Sequence, residues 1–318
     1  MAGISVDIER PEDEGGDRPH AETARRHPNT CPRCSSHFRD DELVANLRVC
    51  THCGFHFAMP ARERIASLLD AGSFTEEGAD LRNVDPLAFV DLKPYIERLT
   101  LAELATGEGD AIVAGAGTID SRPVALAVME FRFLAGSMGS VVGERFCLAV
   151  DRAIELDCPL IVITSSGGAR MQENILALMQ MAKTVVAVDA LRDAGVPFVT
   201  VSAHPTTGGV VASFASLGDI ALAEPGALMS FAGPRVVEQT TREQLPADFG
   251  LAESNLKLGH VDEVVERGDL RERLTGLVRL FSAPVPQLAL PAAAEPELPP
   301  WARVPESLRK IFSRRGER

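Results

Sequence analysis

Aromatic side chains are scarce in this sequence: they make up 5% of 318 residues, with one Trp and one Tyr. The core must therefore be aliphatic, built from Ala, Val, Leu and Met. Apolar runs are short. None reaches the ~18 residues of a membrane span, so no transmembrane helix is expected. The N-terminal residues hold no apolar signal core, and the expected location is the cytoplasm or a similarly reducing space. Six cysteines in such a place are not expected to pair as disulfides. Basic charge is also in deficit. Thirty-two Lys and Arg stand against 45 Asp and Glu, a net charge of −13. That disfavours general polyanion binding, though not an anion held by a few local groups. The glycine-rich stretches are not followed by Gly-Lys-Ser/Thr, do not form G-x-G-x-x-G, and contain no G-x-S-x-G elbow. A phosphate loop, a dinucleotide fingerprint and a serine hydrolase are thereby disfavoured.

What is present has the composition of a globular protein, 45% hydrophobic and 24% charged. Residues 1–28 are charged, of mixed sign, and read as a disordered tail. Residues 29–56 hold four of the cysteines. Residues 57–110 form a helical and irregular connection, with helical periodicity in "ARERIASLL" (61–69). Over residues 111–282 strand and helix patterns alternate. "AIVAGAGTI" and "PVALAVMEF" are strands joined by "DSR". "VVGERFCLAVDRAIELD" is a helix and "PLIVIT" a buried strand. "ARMQENILALMQMAKTVVAVDALRDAG" (169–195) is one long helix, whose apolar face of Met171, Ile175, Leu178, Met179 and Ala182 should lie in the core. "PFVTVSA" is a strand, "HPTTGG" a turn, "VVASFASLG" a short helix and "DIALAE" a strand. The alternation predicts an α/β core with strands buried on both faces. A final amphipathic helix, "DLRERLTGLVRLFSAP", precedes a Pro/Ala-rich and basic tail, residues 283–318.

Cys31, Cys34, Cys50 and Cys53 form C-x2-C-x15-C-x2-C, a spacing that brings two pairs of thiolates onto one tetrahedral zinc ion. Four thiolates fill the shell, so a single Zn2+ per chain should be structural. Cys147 and Cys158, in helical and pre-strand positions, read as small core residues.

Three turns of small residues follow strand candidates: "AGSMGSVVGER" (135–145), "TSSGGARMQE" (164–173) and "HPTTGGVVAS" (204–213). A lone Gly-Gly pair is most simply a tight packing point. Two such pairs in one domain, each opening a helix, suggest backbone N–H donors with a helix dipole behind them, able to hold an oxyanion.

At this point a resemblance enters. "GSMGSVVGERF", "SSGGARMQE", "LMQMAKT", "GGVVASFASLGD" and "FAGPRVVEQT", behind a four-cysteine ribbon, resemble the carboxyltransferase β-subunit family of bacterial acetyl-CoA carboxylase, from Cys31 to about Leu280. The resemblance implies a crotonase-like (ClpP/crotonase) β-β-α superhelix core behind an N-terminal zinc ribbon. It implies transfer of a carboxyl group from carboxybiotin to acetyl-CoA, giving malonyl-CoA, the first committed step of fatty acid synthesis. It also implies partners: a carboxyltransferase α subunit in an α2β2 heterotetramer, a biotin carboxyl carrier protein that supplies biotin in trans, and biotin carboxylase in the holo-complex. By motif, Gly208 and Gly209 match the oxyanion glycines of this subunit, and Gly167 and Gly168 the second turn of the acyl-CoA site. Gly136, Gly139 and Ser140 are expected to shape the channel. Arg170 is expected either to meet a CoA phosphate or to form a structural salt bridge. His204 departs from the family pattern, which often has a polar or acidic residue there. Alternatives are a carboxyltransferase for another short acyl-CoA, a zinc-ribbon nucleic-acid-binding regulator (Arg33, Arg39 and Arg48 lie in the ribbon), and a hydratase using Glu173.

Overall fold

The structure, a computed structural model, describes residues 29–282. The expectations for residues 1–28 and 283–318 lie outside that range. The helices are α1 (Asp40–Ala45), α2 (Ala61–Leu68), α3 (Tyr95–Thr106), α4 (Ser140–Leu156), α5 (Ile175–Asp193), α6 (Gly208–Val211), α7 (Pro234–Thr241), α8 (Ala252–Leu258) and α9 (Leu270–Phe281). The strands are β1 (Thr75–Glu77), β2 (Ile112–Ile119), β3 (Arg122–Met129), β4 (Leu160–Ser166), β5 (Phe198–Thr207), β6 (Ile220–Ala223), β7 (Met229–Ser230) and β8 (Glu263–Val264).

One mixed sheet carries the fold, in the order β1-β2-β3-β4-β5-β6-β8, with β7 paired to the end of β5. β1, β2 and β3 are antiparallel neighbours, and β3 through β6 and β8 run parallel. Successive side chains of a strand point to opposite faces, and β3 divides accordingly. Ala125, Ala127 and Met129 face one core cluster, beneath α4 and α5. Val124, Leu126 and Val128 face a second, beneath α2 and α9. On the first face the small alanines of β2 and β3 leave room for α4, which brings Phe146, Ala149, Val150 and Ala153 down onto them.

Three expectations fail here. The long helix does not begin at the glycines. A short 3-10 turn covers Met171–Glu173, Asn174 takes a φ of 47°, and α5 starts only at Ile175. Its predicted core face is also inverted. Met171, Ile175, Leu178 and Met179 are 64%, 57%, 51% and 59% exposed. The buried face is Ala177, Gln180, Thr184, Val188 and Leu191. Gln180 packs so closely on α4 that a Cβ at Gly143 would lie 2.2 Å from its Oε1. At this close approach the unbranched Gln180 faces Gly143, while Met171, Ile175, Leu178 and Met179 lie on the outer side. "HPTTGG" is likewise no free turn: β5 runs through Thr207, because Thr206 pairs with both Ser166 and Met229.

Candidate active site and metal centre

Two short turns, bridged at Thr30–His37 and Val49–His56, carry the four cysteines. Cys31 Sγ lies 3.5 Å from Cys53 Sγ, and Cys34 Sγ 3.6 Å from Cys50 Sγ. All four sulfurs are within 4.8 Å of one another. Ligands at about 2.3 Å from one ion stand about 3.8 Å apart in a tetrahedron, so this group can hold a metal ion. Hydrogen bonding to Ser36 lowers the Cys34 thiol to about 6, whereas burial raises Cys53 to about 12. Burial also raises Cys147 and Cys158, the latter to about 11. Both are unsuited to nucleophilic work.

The ribbon is docked on the core through arginines. Arg48 donates to both carboxylate oxygens of Glu63, at 2.6 and 2.7 Å, and to Asp40. Arg267 donates to the carbonyls of Leu47, Arg48 and Phe57 with one nitrogen and grips Glu224 with the other two. Arg39 pairs with Asp41. Two of the three ribbon arginines that might have met a nucleic acid are thus engaged by acids.

The two glycine pairs meet. An added Cβ on Gly168 would lie 3.1 Å from Gly208 Cα, and one on Gly208 would lie 3.0 Å from Gly168 Cα. Both take positive φ, 109° and 60°. Only glycine permits this back-to-back contact in that backbone region. Of the four glycines the sequence singled out, only Gly209 keeps an unpaired N–H. Gly167 N–H is taken by Ala135 O, Gly168 N–H by Ser166 Oγ and Gly208 N–H by Phe231 O. Among the described residues no acceptor meets the N–H of Ala169, Gly209 or Val210. A Cβ built on Gly209 would stand 3.3 Å from Ala169 N, so the Ala169 and Gly209 donors are neighbours. The helix dipole adds little. α6 is a single turn of four residues, and α5 starts seven positions after Gly168.

The remaining candidates are structural in their contacts. Gly136 beds on the backbone of Ser165, and Gly139 on the Glu173 carboxylate. The N–H and hydroxyl of Ser140 both donate to Glu173 Oε2, at 2.7 and 2.6 Å. Arg170 is fully buried and ion-paired with Asp110 and Glu173. Of its two expected roles, the salt bridge is the one its contacts display. Glu173, the candidate for hydratase chemistry, is buried and committed to Tyr95, Ser140 and Arg170. Ser165 and Ser166 hydroxyls donate to the carbonyls of His204 and Gly136. Burial lowers the His204 pKa, and its Nδ1 accepts the N–H of Leu228 at 3.2 Å. Ala169, Tyr95 and Asp110 were missed in the sequence. No local pattern marks them, because they act through contacts with residues distant along the chain.

Beside α6 opens a cleft of about 680 Å³. Val211, Ala215, Met229, Phe231, Phe249 and Leu258 make its apolar wall, with Asn255 and His260 among its polar groups. Its size is that of a small-molecule site, and Phe231 joins it to the glycine turn through its bond with Gly208.

The chain thus combines a mixed α/β sheet with unpaired backbone donors at the ends of the neighbouring parallel strands β4 and β5. Residues 58–314 match the carboxyl transferase domain, and the chain belongs to that family of transferase enzymes, with its crotonase-like fold. A transcarboxylase 12S crystal structure, holding methylmalonyl-coenzyme A and methylmalonic acid, is 31% identical over 69% of this chain and 41% of its own, with a TM-score of 0.58. This chain thus spans about two fifths of that relative. A Pseudomonas malonate decarboxylase hetero-tetramer in complex with malonate is 25% identical over 80% of this chain and 89% of its own, with a TM-score of 0.55. A single-chain, multi-domain long-chain acyl-CoA carboxylase, 22% identical with a TM-score of 0.52, shares the fold. No helix among the described residues is long and apolar enough to cross a membrane.

Proposed function

We propose that this chain is the β subunit of a biotin-dependent acetyl-CoA carboxyltransferase, forming malonyl-CoA. The observation that carries the reading is the pair of adjacent, unpaired N–H donors on Ala169 and Gly209, in a chain that also carries a four-cysteine ribbon. The transcarboxylase relative holds methylmalonyl-coenzyme A, a carboxylated acyl-CoA, and this supports an acyl-CoA thioester as the substrate class here.

Carboxylation of a thioester requires loss of a proton from the carbon beside the carbonyl, which places negative charge on the carbonyl oxygen. Donors fixed in advance lower that barrier, because they interact more strongly with the developing oxyanion than with the neutral carbonyl. The Gly209 and Ala169 N–H groups are assigned this task. Carboxybiotin on a carrier protein would supply the carboxyl group: its N–C bond would break as the new C–C bond forms, and the freed ureido group would take the proton lost from the thioester carbon. The carboxylates nearest the turns, Asp110 and Glu173, are engaged by Arg170, Tyr95 and Ser140, which fits a reaction in which this chain provides backbone donors rather than a general base.

The metal in the ribbon is assigned as Zn2+, with a structural role: four thiolates leave no coordination position for substrate. The outward apolar face of α5, with Val186 a further 69% exposed, is assigned to the partner subunit. A row of bulky apolar side chains rarely stays in water, and such a patch marks a protein interface. The hetero-tetramer of the malonate decarboxylase supports an assembly of unlike subunits.

The test is co-purification with an α subunit and a biotinylated carrier, followed by assay of malonyl-CoA formation. The expected result is little transfer by this chain alone and full transfer by the complex. Full activity without the partner would overturn the two-subunit reading, and transfer to longer acyl-CoA thioesters but not acetyl-CoA would overturn the substrate.

A further inference from the structure

Beneath the glycine turns lies a buried polar knot that the reaction itself does not use. Arg170 is its centre. Its Nε donates to Ser137 Oγ at 3.1 Å. One terminal nitrogen reaches Tyr95 Oη at 3.0 Å, and Asn83 Oδ1, Asp110 Oδ2 and Glu173 Oε1 at 3.2 Å each. The other donates to Ser137 O at 2.8 Å and to Asp110. Tyr95, the first residue of α3 and the only tyrosine of the chain, donates to Glu173 Oε1 at 2.7 Å. The Phe133 ring packs 5.5 Å from the guanidinium carbon. Tyr95, Asp110 and Arg170 are completely buried, and Glu173 nearly so.

Stability alone does not account for such a knot. Replacing a buried ion pair by well-packed apolar groups is often neutral or stabilising. What charged, directional bonds do supply is a fixed geometry, and the geometry fixed here is that of the adjoining turn. The Arg170 N–H bonds Met138 O at 2.9 Å, and the Met138 N–H bonds Gly168 O at 2.8 Å. Ala169 is thereby held on both sides while its own N–H is left unpaired. With Gly168 pressed on Gly208, any shift of Arg170 moves Ala169 relative to Gly209.

We propose that Tyr95, Asp110, Arg170 and Glu173 are positioning residues that hold the Gly168–Arg170 turn against Gly208–Gly209 and so set the spacing of the Ala169 and Gly209 donors. This rests on the reading of those two N–H groups as the oxyanion site.

The test pairs Tyr95→Phe, which deletes one hydroxyl and keeps the ring, with Asp110→Asn, which keeps the shape and removes the charge. Both are measured in the full chain with its partner. Amide hydrogen exchange should quicken about tenfold in peptides covering 166–171 and 207–212, with β2 and β3 unchanged. In the carboxyl-transfer assay kcat should fall about tenfold to a hundredfold, with KM for the acyl-CoA within about twofold, because misplaced donors are felt mainly in the transition state. A purely structural role would slow no turnover per folded site. Unchanged exchange in both turns for both variants overturns the inference, as does a raised KM with kcat intact. If the wild-type complex transfers no carboxyl group, the reading of the site fails, and the exchange measurement still decides the positioning.

Discussion

Gly208 and Gly209 are neighbours in sequence, yet Gly208 N–H is bonded to Phe231 O while Gly209 N–H meets no acceptor among the described residues, and substitution separates the two. Gly209 does not take a positive φ. Its absent Cβ would stand 3.2 Å from Met181 Sδ, 3.3 Å from Ala169 Cβ and 3.3 Å from Ala169 N. The thioether can swing aside at small cost. The Ala169 backbone can yield only by moving the donor. Gly209→Ala should therefore cost stability by ~1 kcal/mol, the low end of overpacking, while slowing carboxyl transfer. Gly209→Val places two further methyls there. It should remove the use of at least one donor, a loss of about 2.7–4 kcal/mol of transition-state stabilisation, or 10²–10³ in kcat. Gly208 carries a φ of 60° and would place its Cβ 3.0 Å from Gly168 Cα. Gly208→Ala should lose about 1–2 kcal/mol from the left-handed backbone alone, with more from the contact. Thermal unfolding of the isolated chain and steady-state malonyl-CoA formation by the complex read the two effects apart. If Gly209→Val folds, assembles and turns over at the wild-type kcat, the oxyanion assignment of that glycine is wrong.

Three further outcomes are expected. Cys31→Ser should abolish the one zinc per chain measured by metal analysis and lower the melting temperature, whereas Cys147→Ser should leave zinc content unchanged; one retained zinc in Cys31→Ser would refute the four-thiolate site. Leu178→Glu alters a side chain already half in water, so the isolated chain should keep its stability to within about 0.5 kcal/mol, while capture of the partner subunit on a size-exclusion column should be lost; a normal complex would show that α5 faces solvent in the assembly. Burial by itself would raise the pKa of Glu224, but the attraction of Arg64 and the hydrogen bonds of Arg267 and His56 together hold it well below its ordinary 4.5. A depressed carboxyl contributes stability that is present above the unfolded-state value and is lost as pH falls toward the folded one. The melting temperature should therefore drop below pH 4.5, and Glu224→Gln, less stable at pH 7 because it strands buried arginines, should show a flatter acid limb. An equally steep limb in that variant would place the acid sensitivity elsewhere.

Where sequence reasoning succeeded, the signal was local. The apolar strands β2 to β6 announced themselves by runs such as "PLIVIT" and by the turn between β2 and β3, and the cysteine spacing announced the ribbon. Where it failed, the deciding contact lay far along the chain. Periodicity showed that α5 has a stripe of bulky apolar residues. It could not show that Gln180 and Thr184 would take the inner side, because that depends on how closely α4 approaches at Gly143. The glycine pairs were legible as strand-end turns, but that the two meet, and which N–H groups remain unpaired, was not. Gly167 is satisfied by Ala135 and Gly208 by Phe231, partners 32 and 23 positions away by number. Tyr95 lay in a stretch that reads only as connection, and its hydroxyl meets Glu173 across a separation of 78 residues.

The ribbon and the glycine turns, separate motifs in the sequence, are linked in the fold through Glu224. This residue follows β6 and is 1% exposed. Its carboxylate is gripped by Arg267, the same guanidinium that holds the carbonyls of Leu47, Arg48 and Phe57 in and after the ribbon. Its backbone N–H bonds Ser202 O at 2.9 Å, and from Ser202 the strand β5 runs directly to Gly208 and Gly209. The ribbon thus presents three carbonyls to Arg267, which links them to Glu224 and so to β5. Arg48, 13% exposed, is bound to Glu63 and Asp40, while Arg39 pairs with Asp41 at the surface; the ribbon's backbone is tied to the sheet through Arg267.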